Sequence, residues 1–137
     1  MKKLTLGLFL IIVFTMCKKE TQIIYETPAP TLAGEWYGLY GTALNKVPTM
    51  PYYFMIRSTN TMKISAYDTS TIFTADTAYK VSGDTVKATY IYRYKNGTAA
   101  GTYSIAARFL SNFSFMSGTW GYGGNAYNGG SFFMGRK

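Results

Sequence analysis

Histidine is absent from the sequence, and cysteine occurs only once, as Cys17. Without histidine the chain lacks the most common general base and the most common metal ligand of proteins. With one cysteine no intramolecular disulfide can form, so the fold must be held together by its core. We therefore expect no metal site, no cofactor and no Ser-His or Cys-His catalysis.

Acidic residues are also few, six in 137 residues. Only Asp68 and Asp76 are placed so that a glycosidase-type pair of carboxylates is conceivable, and we expect turn or surface roles for both. Glycines are frequent between residues 121 and 130. No helix is predicted after them, so they indicate turns and bulges rather than a phosphate-binding loop. The sequence therefore predicts a protein that is not an enzyme.

No apolar run reaches the length of about 20 residues that a membrane-spanning helix needs. The longest run, residues 4–16, follows Lys2 and Lys3 and is followed directly by Cys17 and three charged residues. A basic start and an apolar run of about 13 residues are typical of a secretory signal peptide. Export from the cytoplasm is the prediction.

The leader resembles a bacterial lipoprotein signal, in which the cysteine after the apolar run is diacylated on sulfur and becomes the mature N-terminus. Cys17 stands at that position, with Met16 where the family usually has a small residue. The resemblance implies residues 1–16 as a signal peptide and a lipid such as palmitate on Cys17. It also implies attachment to the bacterial cell envelope, with the outer membrane as the expected site, facing the periplasm or the surface. The alternative makes Cys17 an ordinary apolar residue of an uncleaved anchor.

Basic residues outnumber acidic ones and give a formal net charge of +8, which becomes +6 without Lys2 and Lys3. The remaining cations are scattered singly along the chain, whereas a nucleic-acid site would cluster them on one element. We expect solvated outer positions of strands and no nucleic-acid partner. An anionic partner at the cell surface is the alternative.

The composition favours an all-β fold, because the chain contains 13 Tyr, 9 Phe, 2 Trp and 14 Gly. Residues 17–33 include Pro28 and Pro30 and are predicted to be a tether, followed by a single domain over residues 34–137. Within this domain apolar and polar residues alternate in short runs separated by turn signals such as Ser82-Gly83-Asp84 and Asn96-Gly97. Eight strands are predicted, at residues 34–41, 52–58, 61–67, 71–81, 85–94, 101–109, 114–122 and 130–136. We expect an antiparallel meander that closes into a barrel, with a β-sandwich as the rival.

Gly34-Glu35-Trp36 resembles the Gly-x-Trp arrangement at the first strand of lipocalins and avidin-like barrels, and Gly118-Thr119-Trp120 repeats it near the end of the chain. The chain is similar to the small lipocalin-like lipoproteins of Bacteroidetes. In those barrels the tryptophan closes one end beside the chain terminus. The resemblance implies an eight-stranded barrel in which residues 129–134 pair with the first strand, without the terminal helix and disulfides of most lipocalins.

Aromatic residues at inward positions are candidates for a ligand-lining set. The set comprises Trp36, Tyr40, Phe54, Tyr90, Tyr92, Tyr103, Trp120 and Phe132. Either these rings fill the barrel, or some of them line a pocket for a small apolar or aromatic ligand or a sugar. The sequence favours such a non-catalytic binding module. A surface interaction or inhibitor module that uses Tyr37, Tyr53 and Tyr67 on the outer face is the alternative.

Two short segments, Asp76-Thr77-Ala78 and Asp84-Thr85-Val86, resemble the Asp-Ser/Thr-apolar acceptor used for O-glycosylation in Bacteroidetes. The resemblance implies Thr77 and Thr85 as modification sites. Ordinary strand or turn roles are the alternative for both.

Overall fold

The computed structural model describes residues 31–67 and 72–137. The predicted signal peptide, the lipidation candidate Cys17, most of the tether and Asp68 lie outside these ranges, as does the side chain of Tyr67. None of the described residues forms a helix that could span a membrane.

Eight antiparallel strands form a closed barrel in which each strand pairs with its neighbours in sequence. The strands are β1 Gly34–Tyr40, β2 Met50–Ile56, β3 Thr61–Tyr67, β4 Ile72–Ser82, β5 Thr85–Arg93, β6 Ala99–Phe109, β7 Phe115–Tyr122 and β8 Gly130–Arg136. This confirms the predicted all-β meander of eight strands. Strand β1 pairs with β8, from Trp36 opposite Arg136 to Tyr40 opposite Phe132, and this pairing closes the barrel and excludes the sandwich.

The alternation of buried and exposed residues along the strands builds the core of the barrel. In β5, for example, Val86, Ala88, Tyr90 and Tyr92 are buried while the residues between them are more exposed. A strand with this period of two places one face inward and the other in solvent. Nine large side chains are almost completely excluded from solvent: Trp36, Phe54, Phe132, Met62, Ile64, Ile105, Met116, Met134 and Val86.

Glycine is required at two places where neighbouring strands approach each other closely. A Cβ atom on Gly38 would lie 1.8 Å from the carbonyl oxygen of Phe133, and one on Gly118 would lie 2.2 Å from that of Ala106. Both glycines therefore allow neighbouring backbones to approach more closely than any side chain would permit. Gly38 lies on the seam between the first and last strands, so barrel closure depends on it.

The two ends of the barrel differ. We call the end where β1, β3, β5 and β7 finish the mouth, and the opposite end the floor. At the floor the Trp36 indole N–H donates to the carbonyl oxygen of Leu32 at 3.0 Å, and Leu32 itself is buried. Arg136 donates to the carbonyl oxygens of Thr31 and Ala33. The end of the predicted tether is thus packed against the floor, and the chain enters the barrel at the end remote from the mouth.

Candidate functional site: a tyrosine-lined cavity at the mouth

A cavity of about 220 Å³ opens at the mouth of the barrel. Its wall is built from residues at the mouth ends of β1, β2, β3, β5, β6 and β7, together with Thr42 from the loop after β1. The lining residues are Tyr40, Thr42, Met50, Tyr52, Ala66, Tyr90, Tyr92, Tyr103, Trp120 and Tyr122. Seven of these ten side chains are aromatic, so the cavity combines apolar ring faces with phenolic hydroxyls.

Phe54 and Phe132 separate the cavity from the floor. Their ring centroids lie 5.5 Å apart, and both rings are almost completely buried. Tyr52 packs edge-on against both, at 4.6 Å from Phe54 and 5.4 Å from Phe132. Large buried side chains, among them Trp36, Met62 and Met116, pack the interior between the floor and these two rings, and the cavity lies above them.

Ring contacts run around the cavity wall. Tyr40 contacts Tyr52 at a centroid distance of 5.1 Å and Trp120 at 6.0 Å. Trp120 contacts Tyr103 at 6.1 Å, and Tyr103 contacts Tyr92 at 5.1 Å. Aromatic pairs in such tilted and edge-on geometries stabilise each other beyond the burial of their surface. The wall is thus held in place before any ligand arrives.

Three buried phenols supply the polar part of the site. The hydroxyls of Tyr52 and Tyr90 share a hydrogen bond of 2.9 Å, and the hydroxyl of Tyr92 interacts with both. Burial raises the pKa of Tyr90 to about 12, and it raises the pKa of Tyr52 and of Tyr92 well above the ordinary value. All three groups therefore stay protonated near neutral pH, where each hydroxyl both donates and accepts hydrogen bonds.

Trp120 fixes one side of the mouth. Its indole N–H donates to the carbonyl oxygen of Gly41 at 2.8 Å, which ties β7 to the connection after β1. A Cβ on Gly129 would lie 2.6 Å from the Trp120 ring, so the following loop also packs closely on it. The indole therefore offers a ligand its ring face, because its only donor already has a partner.

The structure brings together five of the eight predicted ligand-lining residues, namely Tyr40, Tyr90, Tyr92, Tyr103 and Trp120. Trp36, Phe54 and Phe132 lie below the cavity in the packed interior. Sequence reasoning missed Tyr52 and Tyr122. Their inward direction follows from strand alternation, because Tyr52 precedes Phe54 by two residues and Tyr122 follows Trp120 by two. Each therefore lies on the same face as its inward neighbour.

None of the acidic groups in the described ranges lies in this cavity, and each has a cationic partner elsewhere. Hydrogen bonding to Arg108 lowers the pKa of Asp84, which is exposed at the floor. No cluster of residues able to hold a metal ion occurs in residues 31–67 and 72–137. The ion pairs among the described residues are Glu35 with Lys137, Asp76 with Arg57, and Asp84 with Arg108.

The two candidate glycosylation sites are hydrogen-bonded. The Thr77 hydroxyl donates to the carbonyl oxygen of Thr89 at 2.7 Å, and the Thr85 hydroxyl donates to the Asp84 carboxylate at 3.1 Å. Modification of either oxygen would have to break the bond that its hydroxyl now donates. Glycosylation at Thr77 and Thr85 stays a prediction.

Comparisons of the chain with protein-family models, with curated proteins and with solved structures found no match.

Proposed function

We propose that this chain is a lipid-anchored envelope protein whose barrel binds one small cyclic ligand, aromatic or sugar, in the cavity at its mouth. The observation that carries the binding role is the wall of aromatic faces around three neutral phenolic hydroxyls. Ring faces stack on a flat or C–H-lined ligand surface, and hydroxyls that both donate and accept suit a ligand with polar substituents. The cavity is open at one end, so a ligand enters without unfolding the barrel.

The volume restricts the ligand. About 220 Å³ is less than the range of about 300–1,000 Å³ that is usual for drug-sized molecules. A molecule built on a single ring is the size that this cavity accommodates. No described carboxylate lines the wall, so recognition depends on stacking and hydroxyl contacts rather than on charge.

The membrane anchor is proposed from the leader, in which Lys2 and Lys3, the apolar run and Cys17 follow one another. The entry of the chain at the floor supports a mouth that points away from the anchored end. Mass spectrometry of the protein from a bacterial host tests the anchor. A mature chain that begins at an acylated Cys17 supports it, and an unprocessed, unacylated N-terminus contradicts it.

The indole signals of the two tryptophans provide a direct test of the binding site. In NMR titrations of the purified protein with indole, phenol and glucose, binding at the mouth shifts the indole N–H signal of Trp120. The signal of Trp36 at the floor stays in place, which makes it an internal control. Shifts at Trp36 alone, or no saturable shift with any of the three compounds, would contradict a ligand site at the mouth.

A surface interaction module is the second candidate function, and a group of exposed aromatic residues on the outer face favours it. Tyr37 and Tyr53 contact each other there at a centroid distance of 4.8 Å, and Tyr37 is 45% exposed. On the same side of the barrel Phe115 and Phe133 stack at 6.4 Å, and each is 38% exposed. Exposed aromatics grouped in this way are a feature of contact surfaces.

A further inference from the structure

The outer wall of the barrel carries a larger concavity than the mouth. It has a volume of about 660 Å³ and lies between the outer faces of β4, β5 and β6 and the loop that connects β7 to β8. This volume falls within the range of about 300–1,000 Å³ that is usual for ligand sites. We call it the outer groove. Its lining includes Lys80, Lys87, Ser104, Ala106, Asn125 and Tyr127.

Two lysines face each other in the outer groove. Lys80 on β4 and Lys87 on β5 are directly opposite in the register of the two strands, and both are exposed. Like charges at directly opposite positions of an antiparallel pair destabilise it. The carboxylates of the described ranges, Glu35, Asp76 and Asp84, are all engaged by other cations. The structure thus places two positive charges side by side with no carboxylate of its described residues to balance them.

One wall of the groove presents a single aromatic ring. Tyr127 is 59% exposed and belongs to the loop between β7 and β8. Its neighbour Ala126 is buried, and the backbone N–H of Tyr127 is held by the Asn125 side chain at 2.8 Å. The Asn128 side chain accepts from the backbone N–H of Tyr122 at 2.7 Å. The loop is therefore tied at several points, and it holds the ring of Tyr127 over the groove.

A chain of hydroxyls fixes this loop to the barrel wall. The buried Ser104 hydroxyl donates to the carbonyl oxygen of Gly123 at 2.7 Å. A hydroxyl has only one hydrogen to donate, so in the 2.8 Å bond between Thr89 and Ser104 the Thr89 hydroxyl is the donor. The groove is thus a built feature whose shape does not depend on a mobile loop.

Small side chains on the outer wall leave room beside these groups. Ala78 and Ala106 face outward from β4 and β6, and Gly124 lies at the start of the loop. A ring-shaped ligand can lie flat on such a surface while one face contacts Tyr127. The combination of small side chains, one aromatic ring and two facing lysines suits a molecule with both C–H faces and negative charge.

We infer that the outer groove binds a carboxylated sugar chain, with Lys80 and Lys87 holding carboxylates and Tyr127 stacking on a sugar ring. A nucleic acid fits the groove less well, because phosphate backbones are held by a longer series of cations than these two. The site is separate from the cavity at the mouth, and a ligand bound in either one leaves the other open.

Calorimetric titration of the purified full chain with trigalacturonic acid tests the inference, with maltotriose as an uncharged sugar of the same length. Trigalacturonic acid binds saturably, and maltotriose binds more weakly by about tenfold. The double variant Lys80→Gln/Lys87→Gln weakens trigalacturonic acid binding by about tenfold, and Tyr127→Ala weakens it by about fivefold. The matched control Lys46→Gln/Lys95→Gln removes the same charge at the mouth loops and leaves binding within about twofold.

Amide NMR signals locate the ligand without any substitution. Trigalacturonic acid shifts the backbone signals of Lys80, Ala106 and Asn125, while the indole signal of Trp120 in the mouth stays in place. The Trp120 signal therefore distinguishes binding in the outer groove from binding in the cavity at the mouth. Because this measurement uses the unsubstituted chain, it tests the inference even if Tyr127→Ala disturbs the loop.

Three results would each overturn the inference. The first is a failure of trigalacturonic acid to bind, or binding equal to that of maltotriose. The second is an equal weakening of trigalacturonic acid binding in the control Lys46→Gln/Lys95→Gln, which would assign the effect to the overall positive charge. The third is tighter binding of a single-stranded oligothymidylate of the same charge, which would make the groove a nucleic-acid site.

Discussion

The hydroxyls of Tyr52 on β2 and Tyr90 on β5 lie 2.9 Å apart inside the barrel, although 38 residues separate them in sequence. The bond joins opposite parts of the wall at the base of the mouth cavity. The bond depends on the curvature of the sheet, since β2 and β5 are not neighbours in it and meet only across the interior.

Removing one of these hydroxyls tests their contribution to stability. Tyr52→Phe deletes the hydroxyl and keeps the ring, so it leaves the Tyr90 hydroxyl without this partner. We expect the free energy of unfolding to fall by about 1 kcal/mol, as for a typical buried hydrogen bond. Chemical denaturation measures the change. Tyr37→Phe, on the exposed outer face, is the matched control and changes stability little; an equal loss in both variants would contradict the role of the buried pair.

Alkaline pH should destabilise the protein through the same cluster. The pKa values of Tyr52, Tyr90 and Tyr92 are raised in the folded state, that of Tyr90 to about 12. Above the unfolded value of about 10 the unfolded chain releases these protons while the folded chain retains them. Stability therefore falls as the pH rises above about 10, by up to about 1.4 kcal/mol per pH unit for each phenol that stays protonated.

Denaturation curves at increasing pH measure this dependence, and tyrosinate absorbance follows the phenols directly. Tyr90→Phe should make the decline of stability with pH less steep. A wild-type stability that stays constant above this pH, or a variant with an unchanged slope, would contradict the assignment.

Gly38 should tolerate no side chain. In Gly38→Ala the new Cβ would meet the backbone of Phe133, so β1 and β8 would have to separate at the seam. We expect a loss of about 3 kcal/mol, as for severe overpacking. Gly135→Ala, on the same seam but with open space around the Cβ, is the control and should be nearly neutral. Thermal unfolding compares the two variants. Equal melting temperatures would show that the seam between β1 and β8 can accommodate a side chain at Gly38.

Reversing one charge in the outer groove should stabilise the barrel. Lys87→Glu places opposite charges at directly facing positions of β4 and β5, and we expect a gain of about 0.5 kcal/mol. The gain should diminish at high salt, because exposed charges are screened. Lys95→Glu makes the same change of net charge in the loop after β5 and serves as the control. An equal gain in the control would assign the effect to net charge instead of the facing pair.

Leu32 should contribute to the stability of the floor although it precedes β1. Its side chain is buried and its carbonyl oxygen accepts from Trp36. Leu32→Ala should lower the free energy of unfolding by about 2 kcal/mol through lost burial. Leu44→Ala, at an exposed leucine of the loop after β1, should have little effect. A neutral Leu32→Ala would show that the domain begins at Gly34, as the sequence alone predicts.

Much of the candidate site could be read from local pattern. Tyr90 and Tyr92 alternate with Ile91 and Arg93, so their inward direction follows from strand geometry. The same argument places Tyr103 and Trp120 inside. Depth along the barrel axis could not be read in this way, because alternation assigns a residue to a face and carries no information on which end of the barrel it occupies. For that reason the sequence pattern alone groups Phe54 and Phe132 with the residues that line the cavity.

The sequence by itself determined the strands, their inward faces and the leader-like start, because each of these depends on residues that are neighbours along the chain. Only the tertiary structure decided that β1 meets β8, that the interior is filled below Phe54 and open above it, and that Lys80 and Tyr127 share a groove. These features join residues that are distant in sequence. Their geometry depends on strand register and on the course of a loop, which the packing of the whole barrel sets at once.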